Sequence, residues 1–119
     1  MSNRITPAFH NEMIRALFDC GKDRTSRFQK LGKVGDWFTV THPDTHEQKS
    51  WELVKIEKHP LGEIAMHMHK QEGFISEDEF WRYWKKLHPG RNTPDLKVFV
   101  HILAPAGTGT TSKQSKLVA

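Results

Sequence analysis

Lys22, Thr25 and Arg27 fall close together in Gly21-Lys22-Asp23-Arg24-Thr25-Ser26-Arg27, and a carboxylate, Glu72, stands far downstream in Gln71-Glu72-Gly73-Phe74. An amine, a hydroxyl and a carboxylate that meet in space are sufficient for acid–base or nucleophilic chemistry. A threonine hydroxyl is a weak nucleophile until a base takes its proton. Lysine becomes such a base when burial and neighbouring cations lower its pKa from ~10.4, and Arg24 and Arg27 are the cations at hand. Glu72 acts on Lys22 in the opposite sense, and it can orient the base or protonate a leaving amine. Arginine forks suit a phosphate or a polarised carbonyl. A plainer arrangement uses the same residues structurally, with Lys22 paired to Glu72 and Thr25 hydrogen-bonded within its own loop.

The charge distribution adds a second use for this region. The chain has 119 residues, with 18 Lys and Arg against 14 Asp and Glu, a formal net charge of +4. That excess permits contact with nucleic acid without requiring it. Lys22, Arg24, Arg27, Lys30 and Lys33 are clustered and opposed only by Asp23. Arg24, Arg27, Lys30 and Lys33 are therefore candidates for holding phosphates, although charge runs are commonly just solvated surface. The length fits one domain with one modest core.

A single cysteine, Cys20, rules out an intramolecular disulfide and fits a reducing compartment; beside Phe18 it is expected to be half-buried and structural. Met1-Ser2-Asn3-Arg4 lacks the apolar run of a signal peptide, and no stretch approaches the ~20 apolar residues of a membrane span. The expected location is the cytoplasm, with no membrane partner.

The elements that must position these residues are legible in part. Thr6-Pro7 predicts a helix start, and Phe9, Met13, Ala16 and Leu17 give it one apolar face up to Asp19, where Gly21 ends it. A basic loop follows. Val34 to Val40 reads as a strand entered through Gly35-Asp36, His42 to His46 as a turn, and Trp51 to Glu57 as a second strand antiparallel to the first. Leu61 to Gln71 fits a helix through Leu61, Ile64, Ala65 and Met68, but His67-Met68-His69 also alternates as a strand would.

Ser76 with Glu79 forms a capping box, and Ile75 with Phe80 predicts a hydrophobic staple. The helix so opened buries Phe80, Trp81, Trp84 and Leu87 and ends at His88-Pro89-Gly90. Lys97 to Leu103 is a last strand. After Pro105 almost nothing remains to bury, so 1–104 is the expected domain and 105–119 an expected disordered tail. Short strands interleaved with helices predict an α+β domain around a curved, mainly antiparallel sheet.

Other patterns carry less. Gly107-Thr108-Gly109-Thr110-Thr111 lacks the Lys-Ser/Thr ending of a phosphate loop and a helix to follow it, so no cofactor is expected. Eight histidines come without a cysteine partner or a His-Glu-x-x-His arrangement, so no metal site is expected. Trp37, Trp51, Trp81 and Trp84 are expected in the core rather than as base-stacking platforms.

The order of these features resembles that of ASCH domains, of the PUA-like superfamily, over about residues 5–103. It comprises a helix, Gly-Lys-x-x-Thr-x-Arg, a Gly-Asp strand, Glu-Gly-Phe before a Ser-x-x-Glu-Phe helix carrying tryptophan, and a Val-Phe-Val strand. The resemblance implies a small β-barrel with helices at its rim and a cleft beside the loop after the first helix. It also implies association with RNA or modified nucleosides. Some small bacterial ASCH proteins are amidohydrolases that deacetylate N4-acetylcytidine with a lysine, a threonine and a glutamate. Their pattern falls on Lys22, Thr25 and Glu72, with Arg27 holding the scissile carbonyl or a phosphate. Two alternatives stand beside that activity: a non-catalytic nucleic-acid-binding module, and a regulatory protein with a vestigial cleft.

Overall fold

The computed structural model describes residues 2–106. Helix α1 spans Asn11–Asp19, followed by strands β1 (Arg24–Arg27), β2 (Trp37–Thr41) and β3 (Gln48–Pro60). Helices α2 (Leu61–His67) and α3 (Glu77–Leu87) then precede β4 (Lys97–Pro105). All strand pairs are antiparallel, in the order β1-β4-β3-β2, and the sheet curls into a half-barrel. The register of β3 against β4 slips between Leu53 and Lys55, so that Val54 is an extra residue. Such a bulge bends the strand and increases its twist, which suits a curled sheet.

Two apolar clusters pack the helices onto the sheet. Leu61, Ile64, Ala65, Phe74, Phe80, Trp84, Val98 and Val100 pack α2 and α3 onto β4. Leu17, Phe38, Val40, Trp51, Leu53 and Leu103 pack α1 onto β2, β3 and β4. Trp51 and Trp84 are buried as expected, while Trp37 and Trp81 are only half-buried. Trp37 lies under the Arg4 guanidinium, 5.6 Å from the ring centre.

Several expectations need correction. The first helix begins at Asn11 rather than at Thr6-Pro7. Arg4 bridges Trp37, and the Ile5 amide donates to the Trp37 carbonyl at 2.7 Å, which ties this segment to the sheet before the helix opens. Pro7 fits there too, because its fixed φ is as compatible with extended chain as with a first helical turn. Phe9 consequently precedes the helix and packs on Phe38, with ring centres 5.4 Å apart.

The expected basic loop contains strand β1, whose partner β4 was beyond any local signal. Cys20 is exposed, not half-buried. The strand predicted over 34–40 starts only at Trp37, and β3 extends well beyond 51–57 at both ends. The ambiguous segment resolves as α2, with Pro60 at its N-cap. At the other end of the chain, β4 continues to Pro105 and the Ala106 amide donates to Ser50 O at 2.9 Å. The rest of the proposed tail lies outside the described residues.

Helix α3 forms as its capping signals require. Ser76 Oγ accepts from the Glu79 amide at 3.1 Å, and Glu79 Oε1 accepts from the Ile75 amide at 3.1 Å. Glu77, Asp78 and Glu79 face the positive end of the helix dipole, and Lys85 and Lys86 the negative end. The staple is absent, because Ile75 is 82% exposed while Phe80 is buried in the core. Ser76→Ala should therefore destabilise the domain by about 1 kcal/mol through the cap alone. An unchanged midpoint in urea unfolding would show that the cap contributes nothing.

Candidate active site

Lys22 follows the left-handed Gly21 (φ 71°) that turns the chain out of α1, and its amide still bonds to the Ala16 carbonyl at 3.2 Å. The segment after α2 is then drawn against it. The amides of Asp23 and Arg24 converge on the Gln71 carbonyl, at 2.9 and 3.1 Å, which sets Glu72 beside Lys22. Gly73 makes this approach possible. It has φ 101°, and a Cβ there would stand 3.0 Å from Ala16 Cβ and 3.2 Å from Lys22 Cδ. Gly73→Ala should cost roughly 1–3 kcal/mol from the backbone conformation, before any steric term. Urea unfolding with a parent-like midpoint would show that the loop has room to give.

The resulting centre is buried. Lys22 is 3% exposed and Glu72 3%. Lys22 Nζ donates to the Arg24 carbonyl at 2.6 Å and to the Glu72 carbonyl at 2.5 Å, and lies 3.8 Å from Glu72 Oε1. The other carboxylate oxygen, Oε2, accepts from Ser26 Oγ at 2.6 Å. Burial drives the Lys22 pKa below the usual lysine range. Glu72 and Asp23 oppose that shift, while Arg27 adds to it.

Thr25 is buried next to this pair. Its Oγ1 accepts from Arg27 Nε at 3.2 Å, so its own hydrogen remains available to a base. Arg27 is fixed by a second bond, from Nη2 to the Ala8 carbonyl at 2.8 Å, and by stacking on Phe9 at 4.9 Å from the ring centre. The Thr25 main chain is pinned from β4: His101 Nδ1 donates to the Thr25 carbonyl at 3.1 Å, while Nε2 accepts from the Leu31 amide at 3.0 Å. That bonding pattern fits a neutral ring, and burial holds its pKa down.

Lys22, Thr25, Arg27 and Glu72 line one cleft of about 320 Å³, large enough for a small ligand. Lys22, Thr25, Ser26, Arg27 and Glu72 form its polar floor. Phe9, Phe74, Phe80, Tyr83, Trp84, His10 and His88 supply aromatic walls. Burial raises the Tyr83 hydroxyl to about 12, so it stays protonated.

Lys22, Thr25, Glu72 and Arg27 are thus brought together, though Lys22 Nζ bonds to carbonyls rather than to Thr25 Oγ1. The other basic residues are dispersed. Arg24 lies 3.8 Å from Asp23, Lys30 sits over the Phe99 ring at 5.4 Å, and Lys33 is exposed; none lines the cleft. Among the described residues, no group of three or more His, Cys, Asp or Glu is placed to hold a metal ion. No helix among them is long and apolar enough to cross a membrane.

Ser26 and His101 were missed as site residues from sequence. Ser26 reads as an ordinary small residue in the basic run, and His101 as one of many histidines; nothing local signals partners 46 and 76 residues away.

The sequence matches no family model and no curated protein. The fold does have counterparts among solved structures. An Enterococcus faecalis V583 protein of the family DUF984 is similar with a TM-score of 0.61 at 15% identity, over 89% of this chain and 76% of that one. An ASCH domain from Lactobacillus crispatus JV V101 is similar with a TM-score of 0.52 at 15% identity, over 87% of this chain and 78% of that one. The architecture is therefore an α+β fold similar to that of the ASCH-domain structure.

Proposed function

We propose that this ASCH-like domain hydrolyses the acyl amide of an N4-acylated cytidine, taken into the cleft as a nucleoside. Lys22 is the observation that carries the reading. Lysines are almost never fully buried, and this one sits beside a buried glutamate and two hydroxyls on the floor of an aromatic-walled cleft. A neutral lysine amine has two N–H bonds and one lone pair. The carbonyls of Arg24 and Glu72 occupy the two N–H bonds, which leaves the lone pair to accept a proton.

In this mechanism Thr25 Oγ1 attacks the acyl carbonyl carbon while its proton passes to Lys22 Nζ. Arg27, already a donor at Thr25 Oγ1, is the cation that stabilises the carbonyl oxygen as negative charge develops on it in this reading. The carbon–nitrogen bond then breaks, and the Lys22 proton goes to the departing exocyclic nitrogen, releasing cytidine. Water next adds to the threonine ester and gives a proton to Lys22. The ester bond to Oγ1 breaks, that proton returns to Thr25, and the carboxylic acid leaves. Glu72 holds the charge on Lys22 while it is protonated. The aromatic walls provide faces on which a planar base stacks.

The absence of Arg24, Lys30 and Lys33 from the cleft lining favours a nucleoside over a polynucleotide in this reading. The direct test is incubation with N4-acetylcytidine and chromatography for cytidine, at low and high salt. Cytidine should appear at a rate that salt barely changes. Binding of RNA that weakens steeply with salt, without turnover, would favour the binding-module alternative, because each neutralised phosphate releases counterions.

The pH dependence follows from Lys22. Its folded pKa lies below its unfolded value, and only the neutral amine can accept the Thr25 proton. Turnover should therefore rise as pH increases through that lowered pKa, read as the ascending limb of kcat/KM. The same shift makes folding more favourable as pH rises through the window between the folded and unfolded values. A kcat/KM that falls over the ascending range would remove Lys22 as the base.

A further inference from the structure

We infer that Ser26 is a positioning residue that holds the Glu72 carboxylate back from Lys22. The chemical consequence rests on the amide-hydrolysis reading; the positioning rests on geometry alone. Ser26 is 7% exposed and lies on β1, directly after Thr25. Its Oγ donates to Glu72 Oε2 at 2.6 Å, the length of a charge-assisted hydroxyl–carboxylate bond. The other oxygen, Oε1, stands 3.8 Å from Lys22 Nζ. That is about 1 Å longer than a direct ammonium–carboxylate hydrogen bond.

The separation matters because the two partners have opposite needs. A carboxylate bonded directly to Nζ would stabilise the ammonium and remove Lys22 as a base at neutral pH. A carboxylate held one step away can still compensate the charge when Lys22 is protonated in the reaction. The charged groups facing Lys22 are Glu72 from the segment before α3, Asp23 from its own segment, and Arg27 from β1. Of these, Glu72 is bonded both to Lys22, through its carbonyl, and to a hydroxyl that fixes its carboxylate.

The experiment compares the parent with Ser26→Ala, Ser26→Cys and Ser26→Thr in the full chain. Cysteine keeps the volume but is a weak donor, and threonine keeps the hydroxyl. The pH–rate profile with N4-acetylcytidine is measured alongside crystal structures that read the Oε1–Nζ distance. In Ser26→Ala and Ser26→Cys the ascending limb of kcat/KM should move to higher pH by about one unit, the lower end of what a close opposite charge produces. The carboxylate should close to hydrogen-bond distance of Nζ, and Ser26→Thr should restore both readouts to parental values.

Should Ser26→Ala fail to fold, Ser26→Cys takes its place. An active parent whose Ala and Cys variants keep its profile, or whose Thr variant is displaced equally, overturns the inference and leaves the hydrolysis reading standing. An inactive parent overturns the hydrolysis reading, and the structures then decide the inference. Closure of Glu72 onto Nζ in Ser26→Ala or Ser26→Cys supports it, and an unmoved carboxylate overturns it.

Discussion

Thr25→Ala should lower kcat for N4-acetylcytidine by roughly 10⁴-fold or more, the scale seen when a nucleophile that works with its base as a unit is removed. Affinity for the uncleaved nucleoside should stay within a few-fold of the parent. The substitution removes one hydroxyl and no charge, and it leaves the aromatic walls and the Lys22–Glu72 pair in place. Lys22→Ala should lose comparable turnover for a different reason, since it removes the base and leaves the Glu72 carbonyl without its Nζ donor. The double variant should be little worse than either single one, because the two groups act in one step. Single-turnover kinetics and equilibrium binding of N4-acetylcytidine check this. A Thr25→Ala protein with parental kcat would remove Thr25 as nucleophile, whatever the fate of Lys22→Ala.

Trp84→Ala should destabilise the domain by ~3–5 kcal/mol, the usual range for deleting a buried aromatic ring. Trp84 is 5% exposed and stacks on Phe80, with ring centres 5.9 Å apart and an interplanar angle of 16°. It meets Phe28 edge-on at 5.6 Å, and its Nε1 donates to the Arg91 carbonyl at 2.9 Å. The truncation therefore removes packing, opens a void beside the cleft and leaves the Arg91 carbonyl without that donor. Urea unfolding measures the effect, and a midpoint equal to the parent's would show that the ring contributes no net stability. Losing this wall should also weaken nucleoside binding in whatever fraction remains folded.

Those two residues mark different degrees of legibility. Trp84 was placed in the core from helical spacing after the Ser76 cap, which is information contained within a dozen residues. Thr25 was a candidate from its hydroxyl close to Lys22 in the chain and from a spacing that resembles a family pattern. Its local structure was misread, because β1 owes its existence to pairing with β4 and its four residues carry no strand signal of their own.

The start of α1 failed in the same way. Thr6-Pro7 satisfies every local rule for a helix start, yet the hydrogen bond from Ile5 to Trp37 holds that segment extended. Likewise the basic run looked like one patch in sequence. Strand formation at Arg24–Arg27 and the chain beyond it send Arg27 into the cleft and Arg24, Lys30 and Lys33 elsewhere.

Interactions between near neighbours made several features legible in the chain: the capped helix α3, the stop at Gly21, the antiparallel pairing of β2 with β3, and the residue types of the candidate site. Tertiary structure alone decided the environment that makes those types useful. The shared Gln71 carbonyl, the close approach at Gly73 and the His101 bond to Thr25 are contacts across long sequence separations. Burial of Lys22 arises from that assembly, and burial is what lowers its pKa. A lysine's identity is written in the chain, but its protonation is set by the solvent it loses and the charges it gains on folding.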